Sequence, residues 1–397
     1  MSGLYSHPKE KGLYGIFNDS FPPILDGVTL TVENYAKWMR ARGIVPCIVT
    51  PWNPERVETQ YSVMRFLSLP IHNRKPYRYG YPKLDPFIWK RLRDTDFRIL
   101  HSHCPFSSGR LAVYVKRTRG VPLIGTFHSK YKDDLKHSFR CMPWCVPIIM
   151  KRILNFFNAC DEVWIPQAQV EETVREYGYT GPLTVVENGN DFSDIITGNV
   201  ADYKKEAKRR LGFAADELIL LFVGQHIWEK GIGVIVDMLS ELKGKVKIKM
   251  NFIGNGYAAA DLEKRLMQIG AHDYAKLLGI IKDRRMLSDY YAASDLFIFP
   301  SFYDNAPLVL REAAAMGTPA ILLEGSTASE VIRDGKNGFL VKNDPKEFAH
   351  LVKALASDPQ YIYSIGLNAR NTLVRSWRDV VDEVVDRYDA LLKRKGL

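Results

Sequence analysis

Short apolar runs rich in β-branched residues alternate along this chain with segments of helical periodicity. Parallel strands are buried on both faces and are joined by helical crossovers, so this alternation predicts an α/β fold with parallel sheets. We expect strands at residues 12–17, 45–50, 99–102, 122–126, 161–165, 183–186, 218–223, 246–253, 276–278, 296–299, 319–323 and 339–341. Helical periodicity separates several of them, for example at residues 29–42 and 106–119.

The length of the chain predicts two domains. Its 397 residues exceed the roughly 250–300 at which a single hydrophobic core stops growing. The best boundary is the turn at residues 187–191, because an Asn-Gly pair follows an expected strand there. We therefore predict two Rossmann-like parallel-sheet domains facing a cleft, residues 1–190 and 191–376. Ligands of such sheets bind beyond the carboxyl ends of the strands, so the loops there should carry the chemistry.

Charge is distributed unevenly between the two halves of the chain. The whole chain has 55 Lys+Arg and 45 Asp+Glu, yet residues 1–160 have a net charge of +14 and residues 161–397 a net charge of −4. This asymmetry indicates different partners for the two halves, with an anionic surface for the first. No nucleic-acid-binding motif accompanies the basic residues, so we do not expect a nucleic-acid partner.

The targeting signals and the cysteines favour the cytoplasm. Residues 1–11 lack the apolar core of a signal peptide, and the near-apolar run at residues 141–150 is half the ~20 residues of a membrane-spanning helix. The five cysteines are an odd number scattered from Cys47 to Cys160, which is typical of reduced thiols. A composition of 46% hydrophobic and 25% charged residues excludes a disordered or fibrous protein.

Two loops of the first half could carry chemistry. Gly27 precedes a helix, where backbone N–H groups and the helix dipole can receive an anion, although a connection capped by Asp26 explains the same residues. His101, His103 and His128 stand at or just after the ends of expected strands. A single histidine is usually structural, but three within 28 residues leave the structural and functional interpretations about equal.

Two loops of the second half could bind an anion and hydroxyl groups. Lys230 follows Gly224 and the end of a strand, where it can reach a phosphate beside helix N–H donors or simply extend into solvent. Asp304 follows another strand, and Glu312 lies about two helical turns further on. One carboxylate can accept sugar hydroxyls and the other a ribose, but an N-capping aspartate and a solvated glutamate would give the same spacing.

Two further motifs are weak. Gly254 and Gly256 approximate a dinucleotide-binding fingerprint, but Asp273 precedes its expected strand instead of ending it, which argues against NAD binding. Asp94 and Asp96 have the spacing of a metal-binding pair, but they precede a buried strand. We therefore predict a polar turn there and no metal site.

Together these motifs resemble those of the family 4 glycosyltransferases of the GT-B fold over nearly the full length of the chain. The most specific element is the acidic pair Asp304 and Glu312, with seven residues between them and Ala-Ala-Ala-Met-Gly-Thr-Pro after them. Residues 186–189, 223–231 and 294–301 add support. The resemblance implies that a sugar moves from a nucleotide diphosphate with retained anomeric configuration, without a metal or a cofactor.

The resemblance also implies roles for individual residues. Lys230 would neutralise the diphosphate, Glu312 would hold the ribose and Asp304 would hold the donor sugar. Gly27 would approach the phosphates from the first domain, and His128 would line the reacting centre, which makes His128, Asp304 and Lys230 the catalytic candidates. The remaining donor-binding candidates are Gly224, Gln225, Asn305, Ala306, Leu308 and Val309. The segment at residues 377–397 would return to the first domain.

Three positions depart from the pattern of the family. Gln225 replaces an arginine, which removes a charge-assisted hydrogen bond of about 1.5–3 kcal/mol if nothing substitutes for it. Asp304 replaces a glutamate and is one methylene shorter. Pro307 stands where the family has a glycine, and proline has no N–H to donate. These changes bear on which sugar is bound and on how active the protein is.

The acceptor is expected to meet the first domain. Basic residues are mixed with Phe139, Trp144, Phe156 and Phe157 between residues 131 and 157, as on a surface that binds an anionic membrane. The basic and aromatic candidates for acceptor or membrane contact are Lys132, Lys136, Arg140, Trp144, Lys151 and Arg152. A helix that packs its apolar stripe on the domain and shows its lysines to water explains the same pattern equally well.

The leading hypothesis is a cytoplasmic retaining glycosyltransferase, peripheral at the inner face of the membrane and active in cell-envelope glycan biosynthesis. Its donor would be a nucleotide diphosphate sugar, and its acceptor a lipid, a glycolipid or a polysaccharide precursor. Gln225 and Pro307 motivate a second hypothesis, a non-catalytic binding or scaffold protein of the same fold. The glycines at 254 and 256 motivate a third, an NAD-dependent oxidoreductase.

Overall fold

The computed structural model describes residues 12–24, 26–55, 57–71, 76–139, 142–192, 195–196 and 198–397. The chain divides into two units. The N-terminal unit runs up to Asn188 and includes Trp377–Leu397, and the C-terminal unit is Gly189–Ser376. Counted over the sequence, 31 Lys+Arg and 22 Asp+Glu give the first unit a net charge of +9, whereas 24 and 23 give the second +1.

A seven-stranded parallel sheet forms the centre of the N-terminal unit. The strands of this unit are β1 (Leu13–Phe17), β2 (Pro46–Pro51), β3 (Ser62–Phe66), β4 (Ser68–Pro70), β5 (Arg78–Gly80), β6 (Phe97–Ser102), β7 (Leu123–Thr126), β8 (Glu162–Ile165) and β9 (Leu183–Val185). The order in the large sheet is β3-β2-β1-β6-β7-β8-β9, and β4 and β5 form a separate antiparallel hairpin. The buried strands β1, β2 and β7 are apolar almost throughout because helices cover both faces.

Helices connect these strands as crossovers. They are α1 (Gly27–Ala41), α2 (Pro86–Asp94), α3 (Ser107–Arg119), α4 (Tyr131–Ser138), α5 (Cys145–Ala159) and α6 (Val170–Glu176), with a short 3₁₀ helix at Pro82–Leu84. Asp26 caps α1, because its side chain accepts a hydrogen bond from the backbone N–H of Thr29 at 2.7 Å. Gly120 ends α3 in the left-handed conformation, which favours glycine.

A six-stranded parallel sheet forms the centre of the C-terminal unit. Its strands are β10 (Leu218–Val223), β11 (Ile248–Ile253), β12 (Ala275–Gly279), β13 (Leu296–Phe299), β14 (Ala320–Leu323) and β15 (Phe339–Val341), in the order β12-β11-β10-β13-β14-β15. Its helices are α7 (Val200–Arg210), α8 (Ile232–Leu242), α9 (Ala259–Gln268), α10 (Arg284–Ala293), α11 (Leu308–Ala315), α12 (Pro345–Ala356) and α13 (Pro359–Leu373). Short 3₁₀ helices lie at Trp228–Lys230 and Thr327–Val331.

The last helix, α14 (Trp377–Arg394), belongs to the N-terminal unit. It packs beside α1, and its buried face includes Trp377, Val384 and Tyr388. Arg42 at the end of α1 forms an ion pair with Asp382 of α14. The N-terminal unit is therefore built from two separated stretches of the chain.

The predicted α/β class with two Rossmann-like parallel sheets is confirmed. All twelve expected strands begin and end within two residues of the observed strands, and β6 and β12 are longer than predicted. The prediction missed β3 and the hairpin of β4 and β5. These segments are short or carry polar residues such as Arg65 and Arg78, so they lack the continuous apolar run of a central strand.

In each unit the strand order reverses once, next to the first strand of the sheet. In the N-terminal unit the reversal lies between β1 and β6, and in the C-terminal unit it lies between β10 and β13. Loops that leave the carboxyl ends of these paired strands diverge to opposite faces and leave a crevice, where open α/β sheets bind ligands.

Candidate functional site

Lys230 and Asp304 meet at the strand reversal of the C-terminal unit. Lys230 follows β10 and Asp304 follows β13, and these strands are neighbours in the sheet. The Lys230 Nζ donates a hydrogen bond to Asp304 Oδ1 at 2.6 Å, and the Ser301 hydroxyl donates to Asp304 Oδ2 at 2.7 Å. Lys230 is buried rather than extended into solvent. The loops therefore place a cation and a carboxylate side by side at the carboxyl edge of the sheet.

A glycine allows the two loops to approach so closely. Gly231 has φ +73°, and a Cβ at this position would lie 1.9 Å from the carbonyl oxygen of Pro300. Any larger residue would push the Lys230 loop away from the loop that carries Asp304. The Lys230 Nζ also lies 5.5 Å from the ring centroid of Phe299 and 5.9 Å from that of Tyr303, within the range of cation–π attraction.

The N-terminus of α11 lies just after Asp304 in the chain. Its N-cap residue is Pro307, and no side chain caps its first N–H groups, which belong to Leu308 and Val309. Asp304 bonds Lys230 and Ser301 and does not cap this helix, so the capping interpretation of Asp304 is wrong. The uncapped N–H groups and the positive end of the helix dipole are suited to an anion.

Glu312 lies inside α11 and is buried, with 4% of its surface exposed, so it is not a solvated glutamate. The Arg284 guanidinium donates to its Oε1 at 2.7 Å, and the Tyr291 hydroxyl donates to its Oε2 at 2.8 Å. Each carboxylate oxygen has two lone pairs, so Glu312 retains the capacity to accept two further hydrogen bonds. Such a carboxylate can bind a pair of neighbouring hydroxyls.

Arg284 joins Glu312 to a second carboxylate, that of Asp191. Its Nε and Nη2 donate to the two oxygens of Asp191 at 3.1 Å and 2.5 Å, and its guanidinium lies 4.1 Å from the ring centroid of Phe192. Burial disfavours the charged guanidinium, but the carboxylates of Glu312 and Asp191 outweigh it and raise the pKa of Arg284. Burial and the neighbouring Glu312 raise the pKa of Tyr291, so its hydroxyl stays a donor.

Gln225 and the glycines after β10 form the rest of this edge. Gln225 is exposed, whereas the neighbouring His226 is buried. A Cβ at Gly254 would lie 1.9 Å from the Gly224 carbonyl oxygen, and a Cβ at Gly256 would lie 2.3 Å from the His226 carbonyl oxygen. The two glycines of the dinucleotide-like motif therefore serve the packing of one loop on another. Asn305 is buried and Ala306 half-buried in the loop between Asp304 and α11.

Neither ring nitrogen of His226 has a hydrogen-bond partner among the described residues. Its ring lies near those of Phe222 and Phe252, with centroids 6.1 Å and 6.2 Å away. Burial in these apolar surroundings lowers the pKa of His226 to about 4. The side chain is therefore a neutral, unsatisfied polar group in an apolar slot.

Three histidines are stacked at the strand reversal of the N-terminal unit. The rings of His101 and His103 have centroids 4.2 Å apart, and those of His103 and His128 have centroids 5.2 Å apart. His101 and His103 are buried, whereas His128 is half-buried. We call these three residues the histidine stack. Of its members only His128 is accessible enough to meet a substrate.

Burial lowers the pKa of every ring in the histidine stack. The pKa of His128 falls to about 4, and those of His101 and His103 fall well below the ordinary value of 6.5. All three rings are therefore neutral at pH 7.

Gly27, the donor-binding candidate of this unit, is exposed as the first residue of α1.

Only part of the basic and aromatic surface predicted between residues 131 and 157 is on the outside. Phe156 and Phe157 are core residues and Phe139 packs against the core, so for these three aromatics the packing interpretation holds and the membrane interpretation does not. Trp144 at the start of α5 is 66% exposed, and Met142 and Ile148 are exposed beside it.

The predicted cations of this surface differ in their surroundings. Lys136, Lys151 and Arg152 are exposed. The Lys132 Nζ instead donates to Glu176 Oε1 at 2.8 Å, so Glu176 partly neutralises its charge. Arg140 lies outside the described residues.

A second exposed apolar surface was missed by the sequence analysis. Leu67 and Leu69 face Tyr81 and Tyr79 across the hairpin of β4 and β5, so all four side chains share one face of it. These residues, together with Leu84 and Phe87 that follow in the chain, are all exposed. We call these six residues the hairpin surface.

The described residues include no group of three or more His, Cys, Asp or Glu side chains arranged to hold a metal ion. Within the same part of the chain, every helix is too short or too polar to cross a bilayer.

Comparisons with known proteins identify two matching family models. The model described as "Glycosyl transferases group 1" matches residues 203–372, and the model described as "Glycosyltransferase Family 4" matches residues 25–194. The first covers Lys230, Asp304 and Glu312, and the second covers Gly27 and the histidine stack. Together the two models match most of the chain.

Curated relatives match three quarters or more of the chain. The alpha-monoglucosyldiacylglycerol synthase of Acholeplasma laidlawii is 22% identical over 397 residues, covering 96% of this chain and 99% of the relative. The protein of the same name from Streptococcus pneumoniae is 24% identical and covers 87% of this chain and 78% of the relative. The D-inositol 3-phosphate glycosyltransferase of Xylanimonas cellulosilytica is 29% identical and covers 75% and 73%.

Solved structures share the fold of this chain. Anabaena Alr3699/HepE in complex with UDP and glucose has a TM-score of 0.76 at 16% identity, covering 96% of this chain and all of that one. The sucrose-phosphate synthase of Thermosynechococcus elongatus has a TM-score of 0.78 at 18% identity, covering 97% and 100%. At these identities the likeness concerns the fold.

Proposed function

The chain belongs to the family 4 glycosyltransferases, and we propose that it transfers a sugar from a nucleotide diphosphate to a membrane lipid. The pairing of Lys230 with Asp304 beside the uncapped N-terminus of α11 carries this proposal. A fixed cation and free helix N–H groups suit a diphosphate, and the adjacent carboxylate suits sugar hydroxyls. The enzyme class follows from the family, and the donor and acceptor are the parts proposed.

In the proposed donor complex, Glu312 accepts hydrogen bonds from the ribose hydroxyls while it keeps those from Arg284 and Tyr291. Lys230 has three N–H donors, so it can contact the diphosphate without releasing Asp304. The exposed Gln225 can still donate its amide N–H to a phosphate oxygen, more weakly than the arginine of the family. Gly224, Asn305 and Ala306 line the same edge.

The proposed transfer retains the anomeric configuration. The bond between the anomeric carbon and the diphosphate oxygen breaks, and the charge that develops on the diphosphate is stabilised by Lys230 and by the N–H groups of Leu308 and Val309. The acceptor hydroxyl attacks from the same face and forms the new glycosidic bond. Its proton passes to an oxygen of the departing diphosphate, so no strong protein nucleophile is required. In this proposal His128 contributes a neutral hydrogen-bonding group on the acceptor side, because burial lowers its pKa to about 4.

The relatives suggest what the two substrates are. Two of them are named for a glucosylated diacylglycerol, and a structure with the same fold holds UDP and glucose. We therefore propose UDP-glucose as the first donor to test and diacylglycerol as the first acceptor. A glycolipid or a polysaccharide precursor is the alternative acceptor.

The exposed surfaces of the N-terminal unit support a membrane-bound acceptor. Trp144, Ile148, Lys151 and Arg152 on or beside α5 combine apolar and cationic side chains, and the hairpin surface adds six exposed apolar residues. The net charge of this unit is +9. Cations attract an anionic leaflet and aromatic side chains favour its headgroup region, so we propose peripheral binding at the cytoplasmic face of the membrane.

The donor is tested by mass-spectrometric detection of sugar released from UDP-, GDP- and ADP-sugars, with and without diacylglycerol. We expect slow hydrolysis of one nucleotide class alone and formation of a glycolipid when the acceptor is added. Calorimetric binding of a nucleotide diphosphate without any turnover would instead support a non-catalytic binding protein. Absence of binding by every nucleotide diphosphate would refute the proposed donor site.

Membrane binding is tested by sedimentation of the protein with vesicles of phosphatidylglycerol and phosphatidylcholine. Reversing the charges of Lys151 and Arg152 should weaken binding about tenfold or more, because each cation near an anionic surface contributes about 1 kcal/mol. The matched control reverses Lys346 and Lys353, which are exposed on α12 of the C-terminal unit. Equal losses in both variants, or binding that high salt does not weaken, would contradict a specific anionic docking face.

A further inference from the structure

The two nitrogens of each ring in the histidine stack have unequal surroundings. His101 is satisfied on both sides, with Nδ1 2.7 Å from the Tyr388 hydroxyl and Nε2 2.6 Å from the Thr126 hydroxyl. His103 has its Nδ1 3.0 Å from the Nε2 of His128. Its own Nε2 is buried and has no hydrogen-bond partner in the part of the chain that the structure describes. Among the described residues, the imidazole of His103 therefore has a single hydrogen bond, and its partner is His128.

The charge state of these rings limits how this hydrogen bond can form. Both rings are neutral at pH 7, because burial lowers the pKa of each of them. A neutral imidazole has one N–H donor and one bare nitrogen that accepts. The bond between the two rings can therefore run in either of two directions, and each direction fixes the tautomer of both rings.

The buried Nε2 of His103 distinguishes the two directions. If His128 donated from Nε2, the proton of His103 would have to reside on its own Nε2, as a buried N–H with no acceptor. If His103 donates from Nδ1, its Nε2 is only a buried lone pair. Orphaned buried N–H groups are rarer in proteins than under-satisfied acceptors. The second direction is therefore favoured.

We propose that His103 is a positioning residue that donates from Nδ1 to His128 and fixes His128 as the Nδ1–H tautomer. This inference rests on the proposed place of His128 at the reacting centre. In this state the Nε2 of His128 is occupied as an acceptor, and its Nδ1–H is a hydrogen-bond donor. His128 then cannot act as a general base through Nε2, and any hydrogen bond that its ring donates comes from a neutral Nδ1–H. A neutral donor suits a reaction in which the departing diphosphate takes the proton.

Side chains of α1 and α14 hold the ring of His103 in its orientation. The ring of Tyr35 meets the ring of His103 edge-on, with centroids 5.2 Å apart, and it also meets Trp377 of α14 at 6.0 Å. The ring of His101 stacks on the ring of His103, and the hydroxyl of Tyr388, which is also on α14, hydrogen-bonds to His101. Contacts to α1 and α14 thus fix the plane of the His103 ring, which in turn sets the direction of its Nδ1 toward His128.

The direct test is ¹⁵N NMR of the imidazole nitrogens in histidine-labelled protein at pH 7, with His128 assigned from its own substitution. We expect the Nδ1 of His128 to carry the proton and its Nε2 to have the shift of a bare acceptor. A protonated Nε2 on His128, or an imidazolium ring, would overturn the proposal whatever the protein catalyses. This measurement on the unchanged protein does not depend on a variant that folds.

Two substitutions of His103 separate positioning from packing. His103→Asn keeps an amide N–H near the place of Nδ1, whereas His103→Leu removes the donor. We expect the leucine variant to lose the fixed tautomer of His128 and about tenfold in kcat, with KM for the donor within twofold. We expect the asparagine variant to recover both properties. Equal kcat in the leucine variant and the unchanged protein, or equal losses in the two variants, would refute the role.

A matched control acts at the other end of the histidine stack. Tyr388→Phe removes the hydrogen bond to His101 but leaves that between His103 and His128 in place. We expect this variant to be less stable yet to keep the Nδ1–H tautomer of His128. If no nucleotide sugar is turned over while the NMR result holds, the proposed function fails and the tautomer assignment stands.

Discussion

The two units place very different polar groups at the same position of the same kind of sheet. Beside β1 and β6 the N-terminal unit has three neutral imidazole rings, two of them buried. Beside β10 and β13 the C-terminal unit has Lys230 and Asp304 in an ion pair. Neutral rings orient a bound group through directional hydrogen bonds, whereas an ion pair holds charged side chains in place. A transfer reaction needs both kinds of group if one unit binds a charged donor and the other orients an uncharged hydroxyl.

The two units differ in how exposed the cations of their candidate sites are. The N-terminal unit has a net charge of +9, but its cations on α5 are exposed. The C-terminal unit has a net charge of only +1, but it encloses Lys230 and the guanidinium of Arg284 among carboxylates. The cations of the first unit are thus suited to a large surface, and those of the second to a small anion.

Acidification should produce the largest difference in stability between the two units. Because burial lowers the pKa of the three rings in the histidine stack, with His128 at about 4, the unfolded chain binds protons near pH 6.5 that the native unit excludes. The free energy of unfolding of the N-terminal unit is then highest above about pH 6.5 and falls as the pH is lowered toward 4. Each such histidine contributes a slope of about 1.4 kcal/mol per pH unit.

With three such rings, the N-terminal unit should lose up to about 4 kcal/mol per pH unit, against about 1.4 for the C-terminal unit through His226. Native-state hydrogen exchange with mass spectrometry, corrected for intrinsic rates at pH 7 and pH 5, measures both units in the full chain. Equal losses in the two units would contradict the assignment of neutral buried rings to the N-terminal unit.

Removing the cation of the C-terminal ion pair should abolish most catalysis. In Lys230→Ala the departing diphosphate loses a preorganised positive charge, and we expect kcat/KM to fall about 100- to 1000-fold. Nucleotide binding, measured by calorimetry, should weaken as well. The control is Lys208→Ala, which breaks an ion pair with Asp295 in the same unit. Unchanged nucleotide binding in Lys230→Ala would contradict the role of Lys230.

Breaking the second ion-pair group should cost stability. Arg284→Leu leaves the buried Glu312 and the partly buried Asp191 without their shared cation. We expect the free energy of unfolding to drop by about 2–3 kcal/mol, less than for a fully buried pair because Arg284 is partly exposed. Urea denaturation measures the loss. Arg209→Leu breaks an exposed pair with Glu206 and should change the free energy of unfolding little. A similar loss in both variants would show that Arg284 has no special role.

Replacing the unsatisfied histidine of the C-terminal unit should have the smallest effect, and a stabilising one. His226→Leu removes two buried ring nitrogens that have no partner among the described residues and keeps an apolar side chain in the slot. We expect a gain of about 1–2 kcal/mol by urea denaturation at pH 7. His272→Leu, at an exposed histidine near Asp273, is the control and should change little. Destabilisation by His226→Leu would indicate that the ring nitrogens bind water.

The sequence predicts most of the sheets because buried parallel strands are continuous apolar runs, as in β10 and β13. It also singles out Asp304 and Glu312, whose seven-residue spacing places them on one loop and helix. It does not predict Arg284, because helix packing alone brings this residue to Glu312 across 28 positions of the chain. Nor did the mixture of aromatic and basic residues show which aromatic side chains face the core: Phe156 and Phe157 do, whereas Trp144 does not.

The histidine stack shows the same limit. The strand ends predict that His101, His103 and His128 lie near each other, because carboxyl ends of neighbouring parallel strands meet at one edge. The partner of His101 is Tyr388, 287 residues away in α14, and only the fold reveals it. Site chemistry that comes from one loop was predictable, and chemistry assembled by distant helices was not.

The position of α14 sets an order of assembly during synthesis. The C-terminal unit is a continuous stretch, Gly189–Ser376, so a ribosome has delivered all of it while α14 is still being made. The N-terminal unit starts first but obtains Trp377 and Tyr388 for its core only when α14 has been made. The half of the enzyme that is translated first is thus the half that is completed last, and a nascent chain cut short before α14 would carry a finished C-terminal unit beside an open N-terminal core.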